Sequence, residues 1–188
     1  MNKQGLFGGA IYTTIKSSYV DASDLRQIPD NQEVFLDMNT QQSLIIELLE
    51  KVEHLNEDCA KFHFEQIAEQ NNATSYSIKS IEHASVDVAA PKLPLDTTIY
   101  FVRGIQNVAK FNEEAVNHVE LVMAVVRLEK VETDLIISLN APIQVAPTSS
   151  EMKDVNLVEP AAPIARIVDE IKLVVQGLEI HDWGLFGV

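Results

Sequence analysis

An α+β fold, an antiparallel sheet with helices packed on it, is what this sequence predicts. Three observations carry that expectation. The second half holds long β-rich segments joined by short links, two other stretches place apolar residues at helical spacing, and loops rich in turn residues separate them. At 188 residues the chain fits one domain over residues 1–188, large enough to bury a core without metal or disulfide staples.

In chain order, residues 8–16 (GGAIYTTIK) read as a first strand entered through two glycines, and residues 33–37 (EVFLD) as a second, short one. Asn39-Thr40-Gln41-Gln42 offers a cap, and Leu44, Ile45, Leu48, Leu49, Val52 and Leu55 then fall on one arc of a helix that runs on toward Ala60. Residues 61–68 (KFHFEQIA) and 75–83 (SYSIKSIEH) lean toward strand, with Asn71-Asn72 supplying a hairpin turn; helix continuing through Gln70 is the competing reading. Pro91 and Pro94 mark residues 86–96 as a loop. Strands follow at 97–108, 116–131 and 135–140, and their short links favour antiparallel neighbours. Residues 141–163, rich in Pro, Ser and Thr, read as a long loop. From Pro163 a helix carries Ile164, Ile167, Val168, Ile171, Val174 and Val175 and ends at Gly177. The apolar tail HDWGLFGV is expected to dock on the domain.

Composition narrows the class of function. The hydrophobic fraction of 46% and charged fraction of 22% are ordinary. The net charge of −14, from 28 acids against 14 bases, is not. Solubility alone explains such a charge, but it also disfavours nucleic acid and anionic membrane and favours a basic protein partner. The single cysteine, Cys59, excludes an internal disulfide, points to a reducing compartment, and reads as a small buried hydrophobe near a helix end. The N-terminal MNKQGLFGG lacks the apolar core of a signal peptide, and no apolar run reaches membrane-spanning length. A cytoplasmic or nucleoplasmic protein is expected.

Enzyme signatures are weak. There is no phosphate loop, no GxSxG and no Cys or His pair at metal-ligand spacing, so no catalytic residue, cofactor or metal is assigned. His63 and His83 read as structural histidines, and His54 as an ordinary helical neighbour of Glu50. Asp21 and Asp24 offer a carboxylate pair without a recognisable pocket.

The richest stretch is DASDLRQIPDNQEVF, residues 21–35. Pro29-Asp30-Asn31 supplies turn chemistry, yet a plain connection has less need of Asp21, Asp24, Arg26, Gln32 and Glu33 around it. Arg26 has two readings, pairing Asp24 or Glu33 to fix the turn, which is preferred, or meeting a partner. On the first expected helix, Glu47, Glu50 and Glu53 fall on the pole opposite the apolar arc, beside Ile46. A solvated helix face explains the acids alone; an outward Ile46 among them fits an interface better.

These residues resemble a known family. LFGGAI, DASDLRQIPDNQEVF, QSLIIELLE, TDLIISLN and the C-terminal HD…LFG are similar, in order, to the Mog family of Ran-binding nuclear-import factors, also called Ran guanine nucleotide release factors. Residues 69–96 and 147–160 match poorly. The resemblance implies a Mog/PsbP-like antiparallel sheet flanked by helices on both faces. It implies binding to the GTPase Ran, release of its guanine nucleotide, a part in nucleocytoplasmic transport, and residence in nucleus and cytoplasm. It carries a Ran-contacting surface onto Asp21, Asp24, Arg26, Asp30, Asn31, Gln32 and Glu33 with Glu47 and Glu50, beside Ile46. A monomer is expected, with a second Ran-binding protein as a further partner that these residues do not test. A non-catalytic Ran adaptor or chaperone is the alternative function.

Overall fold

The computed structural model describes residues 1–109, 116–144 and 164–187. Strands β1 (Asn2–Leu6), β2 (Ile11–Ile15), β3 (Tyr19–Asp21), β4 (Gln32–Asp37) and β5 (Gln42–Glu50) precede helix α1 (Glu57–Gln70). Then come β6 (Ala73–Ala84), the short α2 (Val86–Ala89), β7 (Thr98–Ala109), β8 (Val116–Leu128), β9 (Thr133–Gln144), α3 (Ile164–Gln176) and β10 (Glu179–Ile180). Seven strands form one sheet in the order β3-β4-β5-β9-β8-β7-β6, every pairing antiparallel, and β1-β2-β10 form a small second sheet.

Period-two alternation puts apolar side chains on both faces of the central strands, so both must be covered. On one face, Ile99, Val122, Ala124, Val126, Leu135 and Ile137 pack with Ile167, Ile171, Val174 and Val175 of α3 and with Leu6, Ile11 and Ile15 of the small sheet. On the other, Tyr100, Val102, Leu121, Met123, Val125 and Ile136 lie under Cys59, Ala60 and Phe64 of α1. Helices therefore flank the sheet on both faces, as the α+β expectation had it. Gly104 permits the close passage of α1: a Cβ there would meet the Phe64 ring and lie 2.7 Å from the Ser77 carbonyl oxygen. The tail docks as expected, with Leu185 and Phe186 against the larger core.

Several expected elements are overturned. The helix expected from Leu44 to Leu55 is strand β5, paired on both sides, to β4 and to β9. The apolar run QSLIIELLE fits period 3.6 and period 2 alike, and its hydrogen-bonding neighbours decide. Asn39 and Thr40 serve a hairpin rather than a cap: the Asp37 carboxylate accepts the Asn39 amide at 3.0 Å and Gln41 takes φ +57°. The strand expected at 61–68 is helix, and α1 ends at Gln70, as in the competing reading. Cys59, Ala60, His63, Phe64 and Ala68 form its buried stripe, while Glu57 and Asp58 suit its N-terminal dipole. No hairpin follows; Asn72, at φ +52°, turns the chain from α1 into β6. His54 is thus not a helical neighbour of Glu50, but stacks on Phe62 with ring centroids 4.7 Å apart.

Smaller differences concern boundaries. The first expected strand shortens to β2, preceded by β1 and a tight turn over Phe7–Gly9, and α2 lies inside the expected loop at 86–96. β8 gives way at Glu129–Val131 to a 3-10 turn, and β9 continues through 141–144, where loop was expected. The rest of that expected loop, 145–163, lies outside the described residues. Cys59 is buried as expected, in the first turn of α1, with Sγ 3.0 Å from the Asn56 carbonyl oxygen.

Candidate functional site

The end of β3, the bend at residues 22–31, the start of β4 and the end of β5 meet at one end of the large sheet, because β3 leads into the bend there, β4 leaves it, and β5 returns to it. Asp21 ends β3, and its carboxylate accepts the Ser23 amide at 2.8 Å, capping a 3-10 turn over Ala22–Asp24 on the buried Ala22. The Leu25 and Arg26 amides both donate to the Ala22 carbonyl at 3.0 Å. Around Pro29 the chain reverses, with the Gln32 amide donating to the Pro29 carbonyl at 2.9 Å.

The bend is then tied to β5. Gln32 and Glu47 are register partners, and the Gln32 amide group donates to Glu47 Oε1 at 2.7 Å. Asn31 accepts the Leu48 amide at 2.9 Å and returns its side-chain Nδ2 to the Leu48 carbonyl at 3.1 Å and to Glu47 Oε1 at 3.4 Å. A loop pinned by four such bonds is an ordered surface, not a slack connection.

Strand geometry divides what a helix would have joined. Glu47 and Glu50 are three residues apart, so their side chains leave opposite faces of β5 rather than sharing a pole. Ile46, expected outward among the acids, is 0% exposed and packs in the core with Phe35 and Leu44. The correction follows from the change of period: Ile46 and Glu47 are consecutive on a strand, so Ile46 leaves the face opposite Glu47 and meets the core. Glu33 is also turned inward, accepting the Phe7 amide at 2.5 Å and thereby holding a turn in which Phe7 takes φ +50°. Burial pushes the Glu33 carboxyl above its ordinary value; the Phe7 hydrogen bond opposes this and the nearby Asp21 charge adds to it. The Arg26 side chain pairs with neither Asp24 nor Glu33; like those of Asp24, Asp30 and Glu50 it is exposed and has no side-chain hydrogen-bond or ion-pair partner among the described residues.

Beyond β5 the same end of the sheet continues into an open cleft of about 670 Å³, lined by Glu50, Lys51, Val52, Glu53, Leu55, Arg127, Glu129 and Glu132. Lys51 pairs with Glu129 at 2.9 Å. Beneath lies a buried network: Asp134 takes Arg127 at 2.7 and 2.9 Å and faces His63 Nε2 at 2.9 Å. Burial alone would push the Asp134 carboxyl up, but its hydrogen bonds from Arg127, His63 and the Val52 amide hold it at about 2. Sequence reasoning missed Glu129, Glu132 and this network. The available signal was a charge inside each of two apolar strand segments, Arg127 in AVVRLE and Asp134 in TDLIISL. His63 is structural, as expected, though on a helix.

The profile of a family described as Ran-interacting Mog1 protein matches residues 4–142. The chain belongs to the Mog1 family. Its relatives include a Ran guanine nucleotide release factor of Danio rerio, 37% identical over 97% of this chain and 98% of that protein. A probable Ran guanine nucleotide release factor of Dictyostelium discoideum is 35% identical over 98% of this chain and 95% of its own. A Schizosaccharomyces pombe protein named nuclear import protein mog1 is 33% identical over 96% and 98% respectively. The crystal structure of the Saccharomyces cerevisiae Ran-binding protein Mog1p superposes with a TM-score of 0.72 over 99% of both chains at 24% identity, and shares the fold. Among the described residues no helix is long and apolar enough to cross a membrane, and no group of three or more His, Cys, Asp or Glu is placed to hold a metal.

Proposed function

We propose that this protein binds the small GTPase Ran through the acidic end of its large sheet and promotes release of the bound guanine nucleotide, in support of nuclear protein import. One observation carries the reading: the proline-centred bend and the end of β5 are hydrogen-bonded side by side, with Asp24, Arg26, Asp30 and Glu50 exposed and Glu47 half-buried at the join under Asn31 and Gln32. In a chain of net charge −14, that end suits a basic protein surface. Asp21, Asn31 and Gln32 shape the surface, Glu33 anchors it, and Ile46 supports it from the core.

Release of a tightly held nucleotide is a linkage problem: a factor accelerates it by stabilising the opened GTPase more than the filled one. Carboxylates suit that task. They draw away basic GTPase side chains that hold phosphates, and they disfavour phosphate nearby by like-charge repulsion. The protein contributes no bond-making chemistry of its own, acts as one Ran-binding domain over residues 1–188, and works as a monomer in nucleus and cytoplasm. A Ran adaptor or chaperone without release activity is the second reading.

Stopped-flow release of a fluorescent guanine nucleotide from Ran, at rising concentrations of this protein, separates the two. Saturable acceleration is the expected result. Binding without acceleration would leave the adaptor, and no binding would remove both.

A further inference from the structure

The connector after β5, residues 51–56, has no regular structure, yet its backbone is clamped from below. Arg127 donates from Nη1 to the His54 carbonyl at 2.7 Å and from Nη2 to the Val52 carbonyl at 3.1 Å. Asp134 accepts the Val52 amide at 3.2 Å while holding Arg127 Nε at 2.7 Å and Nη2 at 2.9 Å. The Lys51 amide donates to the Glu132 carbonyl at 2.8 Å. Arg127 and Asp134 are register partners on β8 and β9, so the clamp stands on two interior strands of the sheet. His63 of α1 closes it from the helix side, 2.9 Å from Asp134.

Burying an ion pair is an inefficient route to stability, because desolvation consumes most of the Coulombic gain. What this pair does supply is direction. A planar guanidinium bridges two carbonyls and a carboxylate at once, and no apolar side chain fixes an irregular backbone in that way. The clamped connector begins one residue after Glu50, carries Glu53, and exposes Leu55 to 71%. Glu50, Glu53 and Glu132 have no ion-pair partner among the described residues, whereas Arg127 and Asp134 are taken up by the backbone, by each other and, for Asp134, by His63.

We infer that Arg127 and Asp134 are positioning residues of the docking surface, holding the residue 50–55 rim in the geometry that a basic partner meets, without touching that partner. The inference rests on the reading that this end of the sheet docks Ran. Its test is a double-mutant cycle on Ran affinity measured by calorimetry, combining Arg127→Lys, which keeps the charge but loses the bridge, with Glu50→Gln. Amide hydrogen exchange of residues 52–55 is followed alongside. Arg127→Lys is expected to speed exchange in the connector and weaken Ran binding roughly fivefold, and Glu50→Gln is then expected to cost much less in that background than in the wild type. Fold changes that simply multiply, or wild-type affinity with a loosened connector, would overturn the positioning role and leave Ran docking intact. Absence of Ran binding by the wild type would overturn both. If Arg127→Lys lacks a cooperative thermal transition, the same cycle with Asp134→Asn decides.

Discussion

Replacing Asp134 by asparagine should cost about 2.5 kcal/mol at neutral pH and progressively less in acid. The side chain is fully buried and receives Arg127 through two hydrogen bonds, His63 through a third and the Val52 amide through a fourth. These hold its carboxyl at about 2 against an ordinary 3.8. At about 1.4 kcal/mol per unit, that depression is worth about 2.5 kcal/mol between the charged and the neutral group. Asparagine keeps the shape and loses the charge, so it imitates the protonated form. The sign follows from the direction of the depression: a carboxyl held low contributes stability above its unfolded value and loses it as pH falls toward its folded one. The gap between wild type and variant should therefore be full from pH 5 to 7 and about half as large near pH 3. Urea unfolding, which adds no salt, measures it across that range. A gap below about 0.5 kcal/mol at pH 7, or one that does not narrow in acid, would refute the network as described.

Three further outcomes follow from named contacts. Ile46→Ala should lower stability by about 2–5 kcal/mol in denaturant unfolding, because it empties a fully buried site. Gly104→Ala should cost about 1–3 kcal/mol in the same assay by forcing a methyl group against Phe64 and the Ser77 carbonyl. Glu50→Lys, at an exposed side chain, should leave the melting temperature unaltered and weaken Ran binding by about 1–3 kcal/mol in a calorimetric titration.

How far the sequence alone could be read depended on whether neighbours in sequence were also neighbours in space. Strands β7, β8 and β9 were legible because they are long, rich in β-branched residues and joined locally, and α3 because its apolar stripe is unbroken between Pro163 and Gly177. QSLIIELLE was not legible: nine residues satisfy both periods, and the strands that settle the matter include β9, more than eighty residues away. KFHFEQIA failed for the opposite reason. Phe62 and Phe64 suggest alternation until Cys59, Ala60 and Ala68 are added, and these complete a helical stripe. The bend at residues 21–35 was visible as surface chemistry, and its contact with Glu47 was expected on the wrong scaffold. Glu33 and Ile46 could not be sorted inward from sequence, since Glu33 is held by Phe7, 26 residues away, and Ile46 is hidden by strand parity. The Arg127–Asp134 pair spans only a hairpin, but its purpose depends on Val52 and His54, over seventy residues earlier.

Whether the acidic end of the sheet acts on Ran is tested most directly by the stopped-flow release of its nucleotide, with the wild type set against Glu50→Lys and Glu47→Lys at equal concentration. Saturable acceleration by the wild type, with either charge reversal requiring at least about tenfold more protein for the same rate, is the expected result. Equal acceleration by all three proteins would contradict it, because the nucleotide would then be released through some other surface.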